Sequence, residues 1–161
     1  MSSLLEHCHG EADSPKGKFM ALLKSNNREG VDNIIQVLEE MGFFKAPAST
    51  KFHLCNEGGL LQHSLNVCEM ALGLRDLIIQ KNPDFESRLP KESVIIASLL
   101  HDVCKSDIYK ETMKKQKNKE GQWEEVKGYD VDHGQYPFGH DEKFTFKPNE
   151  QYQTCLRIAV A

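Results

Sequence analysis

The sequence predicts a mainly helical, all-α fold, and three observations support this expectation. Apolar residues recur with the 3.6-residue period of an α-helix in several segments. None of those segments shows the alternation of apolar and polar residues that marks a half-buried strand. The 161 residues, 39% hydrophobic and 27% charged, suit one soluble domain with its own core. We therefore expect a loose N-terminal arm over 1–15 and a single helical domain over 16–161.

Two short helices are expected first. The segment 19–23 begins a helical stretch that the polar residues SNN at 25–27 interrupt. The segment 31–41 carries its apolar residues on one helical face, and Gly42 follows as a C-terminal cap. The next segment, 43–59, contains proline, serine, threonine and a Gly-Gly pair, a composition typical of a loop. We interpret this loop as a functional one.

A long amphipathic helix is predicted from Leu60 to about residue 81, where an Asn-Pro pair ends it. His63 lies on the same stripe of this helix as Val67, Met70 and Leu74. Because that stripe is apolar, we expect the imidazole of His63 to point toward the core.

The following helix is predicted from Pro90, in its first turn, to about Cys104. Its apolar run, VIIASLL at 94–100, ends in the dipeptide His101-Asp102. A buried carboxylate at the C-terminal end of a helix is costly, because it lacks both solvent and a favourable dipole. A divalent metal held by two imidazoles and a carboxylate would neutralise it, with His63 of the preceding helix as the third ligand. The alternative is a structural domain in which His101 and Asp102 only hydrogen-bond each other.

The segment 111–130 has a different pattern. Two polar segments flank the turn-forming residues NKEG at 118–121, which predicts a small β-hairpin inserted among the helices. Lysines at 110, 114, 115, 117 and 119 carry positive charge that is suited to phosphate. A solvated hairpin is the preferred interpretation of these lysines.

Composition excludes several classes of protein. The net charge of −4 offers no general attraction to nucleic acid, which we do not expect as a partner. No apolar run approaches the roughly 18 residues of a membrane span, and the first ten residues do not resemble a signal peptide, so a cytoplasmic protein is expected. The five cysteines include no CxxC pair, which argues against a disulfide framework or a zinc knuckle. Cys68 and Cys104 are expected to be small core residues.

Two segments together resemble the HD-domain superfamily of metal-dependent phosphohydrolases. These are GGLLQHSLNV at 58–67 and ASLLHDVCK at 97–105, in the order and at a spacing typical of that superfamily. Two more segments, STKFH at 49–53 and YPFGHDEK at 136–143, are similar to a clade of small bacterial HD-domain proteins with a PFGHGEKS signature. The resemblance covers roughly residues 30–145 and implies an HD-domain helical bundle.

The resemblance implies that His63, His101 and Asp102 bind a divalent metal. His140 matches a further histidine that either binds a second metal or contacts phosphate. Mixed nitrogen and oxygen ligands suit Mn, Fe, Co, Ni or Mg. His53 is expected at the mouth of the pocket.

The implied reaction is hydrolysis of a small-molecule phosphoester, with a nucleotide as the expected substrate class. A metal-activated water would attack phosphorus, and Asp102 would orient or deprotonate that water. Lys105 and His140 would stabilise the charge that develops on the phosphoryl group. The main alternative is a catalytically silent HD-like module that binds a metal or a nucleotide.

The sequence departs from the HD-domain pattern in three places. Asp141 replaces a glycine of the clade, Phe144 replaces a serine, and the final aspartate ligand of the superfamily has no counterpart. Water, a residue such as Asp132 or His133, or a continuation of the chain beyond a truncation would supply the missing ligand. We favour truncation, with C-terminal helices missing, because the apolar segment at the end of 149–161 stops abruptly. We also expect a homodimer that buries this segment.

Overall fold

A computed structural model describes residues 14–131, which form helices followed by one antiparallel hairpin. The prediction of a mainly helical chain with a small hairpin is confirmed over this range. The chain also contains a six-residue 3-10 helix, Pro83–Arg88, and a three-residue one, Val103–Lys105. The α-helices and strands are Pro15–Lys24 (α1), Val31–Glu40 (α2), Gly59–Lys81 (α3), Lys91–Leu100 (α4), Tyr109–Lys117 (β1) and Trp123–Val131 (β2).

Helix α1 begins at a side-chain cap. The hydroxyl of Ser14 accepts a hydrogen bond from the backbone N–H of Gly17 at 3.0 Å, and Pro15 occupies the first helical position. The last residue of the predicted arm therefore belongs to the helix. The rest of that arm, 1–13, lies outside the described residues.

Helix α2 ends at Glu40 with Met41 as its C-cap residue, and Gly42, which was predicted to terminate the helix, follows directly. The φ of Gly42 is 75°, a left-handed conformation that glycine adopts without steric cost. Its N–H donates to the carbonyl of Glu39 at 3.0 Å, and the N–H of Phe43 donates to the carbonyl of Leu38 at 3.0 Å. These two bonds form a Schellman motif, which turns the chain back so that Phe43 enters the core.

The core lies where α1 packs against α2, α3 and α4, and where α4 packs against α3. The rings of Phe19, Phe43 and Phe44 contact one another at centroid distances of 5.2 to 5.6 Å. Cys68 is buried, as predicted, whereas Cys104 is only half-buried. The buried apolar residues are Phe19, Leu23, Val31, Ile35, Leu38, Phe43, Ala46, Leu60, Leu61, Cys68, Ile95, Leu99 and Leu100.

The stripe that carries His63 is not buried along its whole length. Met70 and Leu74 are exposed, so the expectation that this stripe faces the core is wrong beyond Val67. The reason is the face that is covered. Farther along α3 the half-buried residues include Leu72, Arg75 and Ile79. These three lie on the opposite face of the helix from Met70 and Leu74.

Helix α4 is shorter than predicted. Pro90 caps it instead of lying in its first turn, and the helix ends at Leu100 instead of continuing to Cys104. The backbone of Asp102, with φ −111° and ψ 16°, leaves the helical conformation, and a 3-10 turn follows. The apolar pattern continues through this break, which explains why periodicity did not reveal it. The break redirects the chain at the residue on which the candidate site depends.

The hairpin matches its prediction and is slightly longer. Tyr109 pairs with Val131 and Lys117 with Trp123, so the strands extend just beyond 111–130. In the turn, the side-chain oxygen of Asn118 accepts hydrogen bonds from the N–H groups of Glu120 and Gln122. Among the five lysines, Lys110, Lys115, Lys117 and Lys119 are exposed, whereas Lys114 is half-buried.

Within residues 14–131, none of the helices combines the length and the hydropathy that a membrane span requires.

Candidate metal centre

The start of α3 is held in place by the preceding loop. The N–H of Gly58 donates to the carbonyl of Lys45 at 3.0 Å, and the N–H of Leu60 donates to the carbonyl of Ala46 at 2.9 Å. A Cβ on Gly59 would lie 2.0 Å from the carbonyl oxygen of Leu54, so this position accepts only glycine without movement of the loop. The Gly-Gly pair thus sets the direction of α3 one turn before His63.

Three predicted ligands meet between α3 and the end of α4. The Nε2 atoms of His63 and His101 are 3.2 Å apart. The Oδ2 atom of Asp102 lies 3.2 Å from Nε2 of His63 and 3.4 Å from Nε2 of His101. Ligand atoms bonded to one ion at about 2.0–2.2 Å lie roughly 3.0–3.5 Å from each other. The spacing and the chemistry of these three donors therefore fit one divalent metal ion.

A backbone hydrogen bond orients the ring of His101. Its Nδ1 lies 2.8 Å from the carbonyl oxygen of Ser98. Because a carbonyl only accepts, Nδ1 carries the proton, and in the neutral ring Nε2 keeps its lone pair. That lone pair faces the cluster. This is the usual way in which a protein prepares a histidine ligand.

Lys105 already supplies a positive charge to the cluster. Its Nζ atom lies 2.7 Å from Oδ2 of Asp102, the same oxygen that faces both imidazoles. The 3-10 turn after α4 produces this contact, because it brings residues three apart to one side. The carboxylate is therefore neutralised by the chain itself, and a metal ion would share or take over this oxygen.

The centre is partly open to solvent, which corrects the expectation of a fully buried site. The side chains of His63, His101 and Asp102 are 22%, 34% and 18% exposed. The ring of His53 lies at the edge of the opening, 5.5 Å from that of His63 between centroids. A ligand would therefore reach the cluster without a rearrangement of the helices.

Several predicted participants lie outside the described residues. They include His140, which was expected as a second-metal ligand or a phosphate contact. Asp132 and His133, considered as sources of a further ligand, and the segment 149–161, expected at a dimer interface, also fall there. Their roles stay predictions.

Two features of this region were missed by sequence reasoning. The motif in the sequence contains Gly59 but does not indicate the close backbone contact that requires a glycine there. A bond between Lys114 of the hairpin and the carbonyl of Thr50 was not expected, since 64 residues separate the two. The Gly-Gly pair in the sequence could have indicated the close contact at Gly59. No local pattern indicates the hydrogen bond between Lys114 and Thr50.

Burial also changes the protonation of groups at the centre. Burial lowers the pKa of the His63 imidazole, and the charges of His101, Lys105 and His53 act in the same direction, whereas Asp102 opposes them. Burial and the carboxylate of Asp102 raise the pKa of the Cys104 thiol. The folded protein thus favours a neutral imidazole that is ready to bind a metal, and it keeps the neighbouring thiol protonated.

This lowered pKa predicts a pH-dependent stability of the metal-free protein. Because the pKa of His63 in the folded state lies below its unfolded value of 6.5, the contribution of His63 is fully present above pH 6.5. It is lost as the pH falls through the folded pKa. In the presence of chelator, denaturant titrations from about pH 8 to about pH 5 should show a smaller loss of unfolding free energy for His63→Gln than for the wild type. Equal losses would contradict this assignment.

Comparison with known proteins gives one distant and partial match. Over 88 residues the chain is 31% identical to the dihydroneopterin 2′,3′-cyclic phosphate phosphodiesterase of Methanocaldococcus jannaschii. The alignment covers 55% of this chain and 32% of the relative, so the chain spans about a third of the length of the curated relative it matches. No family model matches the chain. No solved structure matches it. Over about half its length, the chain is therefore similar to an enzyme that hydrolyses phosphoesters.

Proposed function

We propose that this chain is a metal-dependent phosphoester hydrolase. The observation that carries the proposal is the convergence of three ligand atoms, from His63, His101 and Asp102, within 3.4 Å of one another. The prepared tautomer of His101 and the partly open position of the cluster support it. The similarity to a phosphodiesterase supports the same class of reaction. We also propose that the helical domain is of the HD type.

The bound metal would polarise a phosphoryl oxygen and lower the pKa of a coordinated water. His63 and His101 would hold it as neutral ligands, and Asp102 would supply the anionic one. Nitrogen and oxygen donors favour Mn, Fe, Co, Ni or Mg, and the protonated Cys104 does not compete. Lys105, whose ammonium pairs with Asp102, would balance the negative charge of the phosphate once a metal ion takes over Oδ2 of that carboxylate.

For the substrate we propose a small phosphodiester of the nucleotide type. The curated relative carries a 2′,3′-cyclic phosphate in the name of its substrate, which makes strained cyclic phosphodiesters the first compounds to assay. His140 is proposed either to contact the phosphate or to bind a second metal. A large nucleic acid is not proposed, because the net charge of the chain is −4.

The decisive experiment is metal analysis combined with a hydrolysis assay. The full chain would be purified without a metal-affinity step and without chelator, and its metal content measured before and after soaking in Mn²⁺. The Mn²⁺-loaded protein would then be assayed with bis(p-nitrophenyl) phosphate and with nucleoside 2′,3′-cyclic phosphates. We expect at least one equivalent of metal and a hydrolysis rate that chelator abolishes. A protein that binds metal but hydrolyses none of these compounds would be a catalytically silent binding module. A protein that stays metal-free after soaking in Mn²⁺ would refute the proposal of a metal-dependent hydrolase.

A further inference from the structure

The hairpin is tied to the rim of the candidate metal centre by Lys114. Its Nζ atom donates to the carbonyl oxygen of Thr50 at 3.2 Å and also to that of Tyr129. Its stem lies so close to Gly128 that a Cβ there would be 2.9 Å from Cδ of the lysine. Lys114 is half-buried, unlike the other four lysines of the hairpin. A lysine held in this way fixes the position of the loop that it contacts.

That loop is a closed turn with His53 at one end. The hydroxyl of Ser49 donates to the carbonyl of His53 at 3.0 Å and accepts from the N–H of Phe52 at 3.1 Å. The N–H of Ala48 donates to the carbonyl of Leu54 at 3.0 Å, which closes the turn from the other side. Thr50 lies inside this turn, so the contact with Lys114 restrains the turn as a unit.

His53 is not one of the three residues whose ligand atoms form the cluster. The groups that act electrostatically on His63 include Asp102, His101, Lys105 and His53. Asp102 already contacts both His101 and Lys105. The ring of His53 is tilted by 47° against that of His63, and within residues 14–131 its nitrogens have no hydrogen-bond partner. His53 is exposed at the opening, where an anionic ligand of the metal would enter.

We propose that His53 donates a hydrogen bond to phosphate bound at the metal centre, and that Lys114 positions His53 by holding its loop. This inference rests on the proposed function, because it requires a metal that recruits the phosphate. It assigns the hairpin a role: it keeps a phosphate contact in place beside the cluster. No proton is transferred in this step, since a ring N–H is enough to donate.

The test measures the binding of inorganic phosphate to the Mn²⁺-loaded full chain by calorimetry. His53→Phe keeps a ring against His63 and removes the donor, and His53→Gln restores a donor. We expect the phosphate Kd to rise about tenfold or more in His53→Phe, as for a lost hydrogen bond to a charged group, and to recover in part in His53→Gln. The affinity for Mn²⁺ alone should stay unchanged in both variants.

The positioning role is tested with a matched pair of lysines. Lys114→Met should raise the phosphate Kd by about threefold or more, because the donor at the end of the loop is displaced. Lys114→Arg should recover part of the affinity. Lys115 is exposed and points to the opposite face of the strand, so Lys115→Met should have no effect.

The outcomes separate this inference from the proposed function. If the wild-type chain binds no Mn²⁺, both the proposed function and this inference are overturned. A chain that binds Mn²⁺ and phosphate, with the same phosphate Kd in His53→Phe, overturns the role of His53 only. An unchanged Kd in Lys114→Met, with a raised Kd in His53→Phe, overturns the positioning role alone.

Discussion

Replacing Asp102 by alanine is expected to abolish metal binding and, with it, hydrolysis. The substitution removes the carboxylate of the cluster that the described residues form, and it leaves two imidazoles beside the ammonium of Lys105. A bound Mn²⁺ ion would lose one of its ligands and would also be repelled by the ammonium of Lys105, whose charge Asp102 no longer balances. Losing a group that merely supports a ligand costs about 10- to 100-fold in affinity, so the loss of the ligand itself should exceed about 100-fold. Calorimetry with Mn²⁺ measures this directly.

The fold should survive the Asp102→Ala substitution. Asp102 and Lys105 remain partly solvated, and an ion pair of this kind contributes within about 1 kcal/mol to the free energy of unfolding. Asp107→Ala is the matched control, because Asp107 is exposed and lies outside the cluster. The control should bind Mn²⁺ as the wild type does. Retention of tight Mn²⁺ binding by Asp102→Ala would contradict the assignment of the centre.

Replacing Gly59 by alanine is expected to destabilise the fold by about 3 kcal/mol or more. The new Cβ would lie 2.0 Å from the carbonyl oxygen and 2.9 Å from the carbonyl carbon of Leu54, and 3.2 Å from the nitrogen of Ala48. All three are backbone atoms of the loop, so relief requires movement of the whole turn and breaks the bond between Ala48 and Leu54. Alanine is favoured over glycine in a helix by only about 1 kcal/mol, which is too little to compensate.

Gly73 provides the control for this prediction within the same helix. A Cβ at Gly73 meets no atom within 4 Å, and its φ is ordinary. Gly73→Ala should therefore raise the free energy of unfolding by about 0.5–1 kcal/mol through helix propensity alone. Guanidinium unfolding followed by circular dichroism would compare both variants. Equal and small effects at the two positions would show that the loop does not pack against α3 as described.

The presence of the helices could be predicted because their apolar residues recur with the period of an α-helix. Where each helix ends, and which elements pack against it, could not be predicted in this way. Periodicity placed α2 and α3 correctly, and the residue type predicted the left-handed Gly42 that terminates α2. It did not show the end of α4 at Leu100, because the apolar pattern continues while the backbone of Asp102 leaves the helix. It also predicted a buried Met70, since a period indicates which residues share a face and not what covers that face.

The residue types of the candidate centre could be read from the sequence, because a histidine and a carboxylate beside apolar helices are unusual. Their distances depend on how α3 and α4 pack, which the sequence does not state. The contact between Lys105 and Asp102 was also missed, since Lys105 was expected to face phosphate. The contact between Lys114 and Thr50 joins segments that local patterns treat independently.

The ammonium of Lys105 beside Asp102 has a consequence for how the protein would acquire the proposed metal. Because the chain balances the charge of its own carboxylate, folding would not have to wait for an ion. The proposed centre would then be loaded after folding, through its partly open side, by exchange with the surrounding pool. Nitrogen and oxygen sites of this kind bind several divalent ions with affinities that rise along the first transition row. The ion carried in the cell should therefore follow supply, and preparations from media with different metals should differ in metal content.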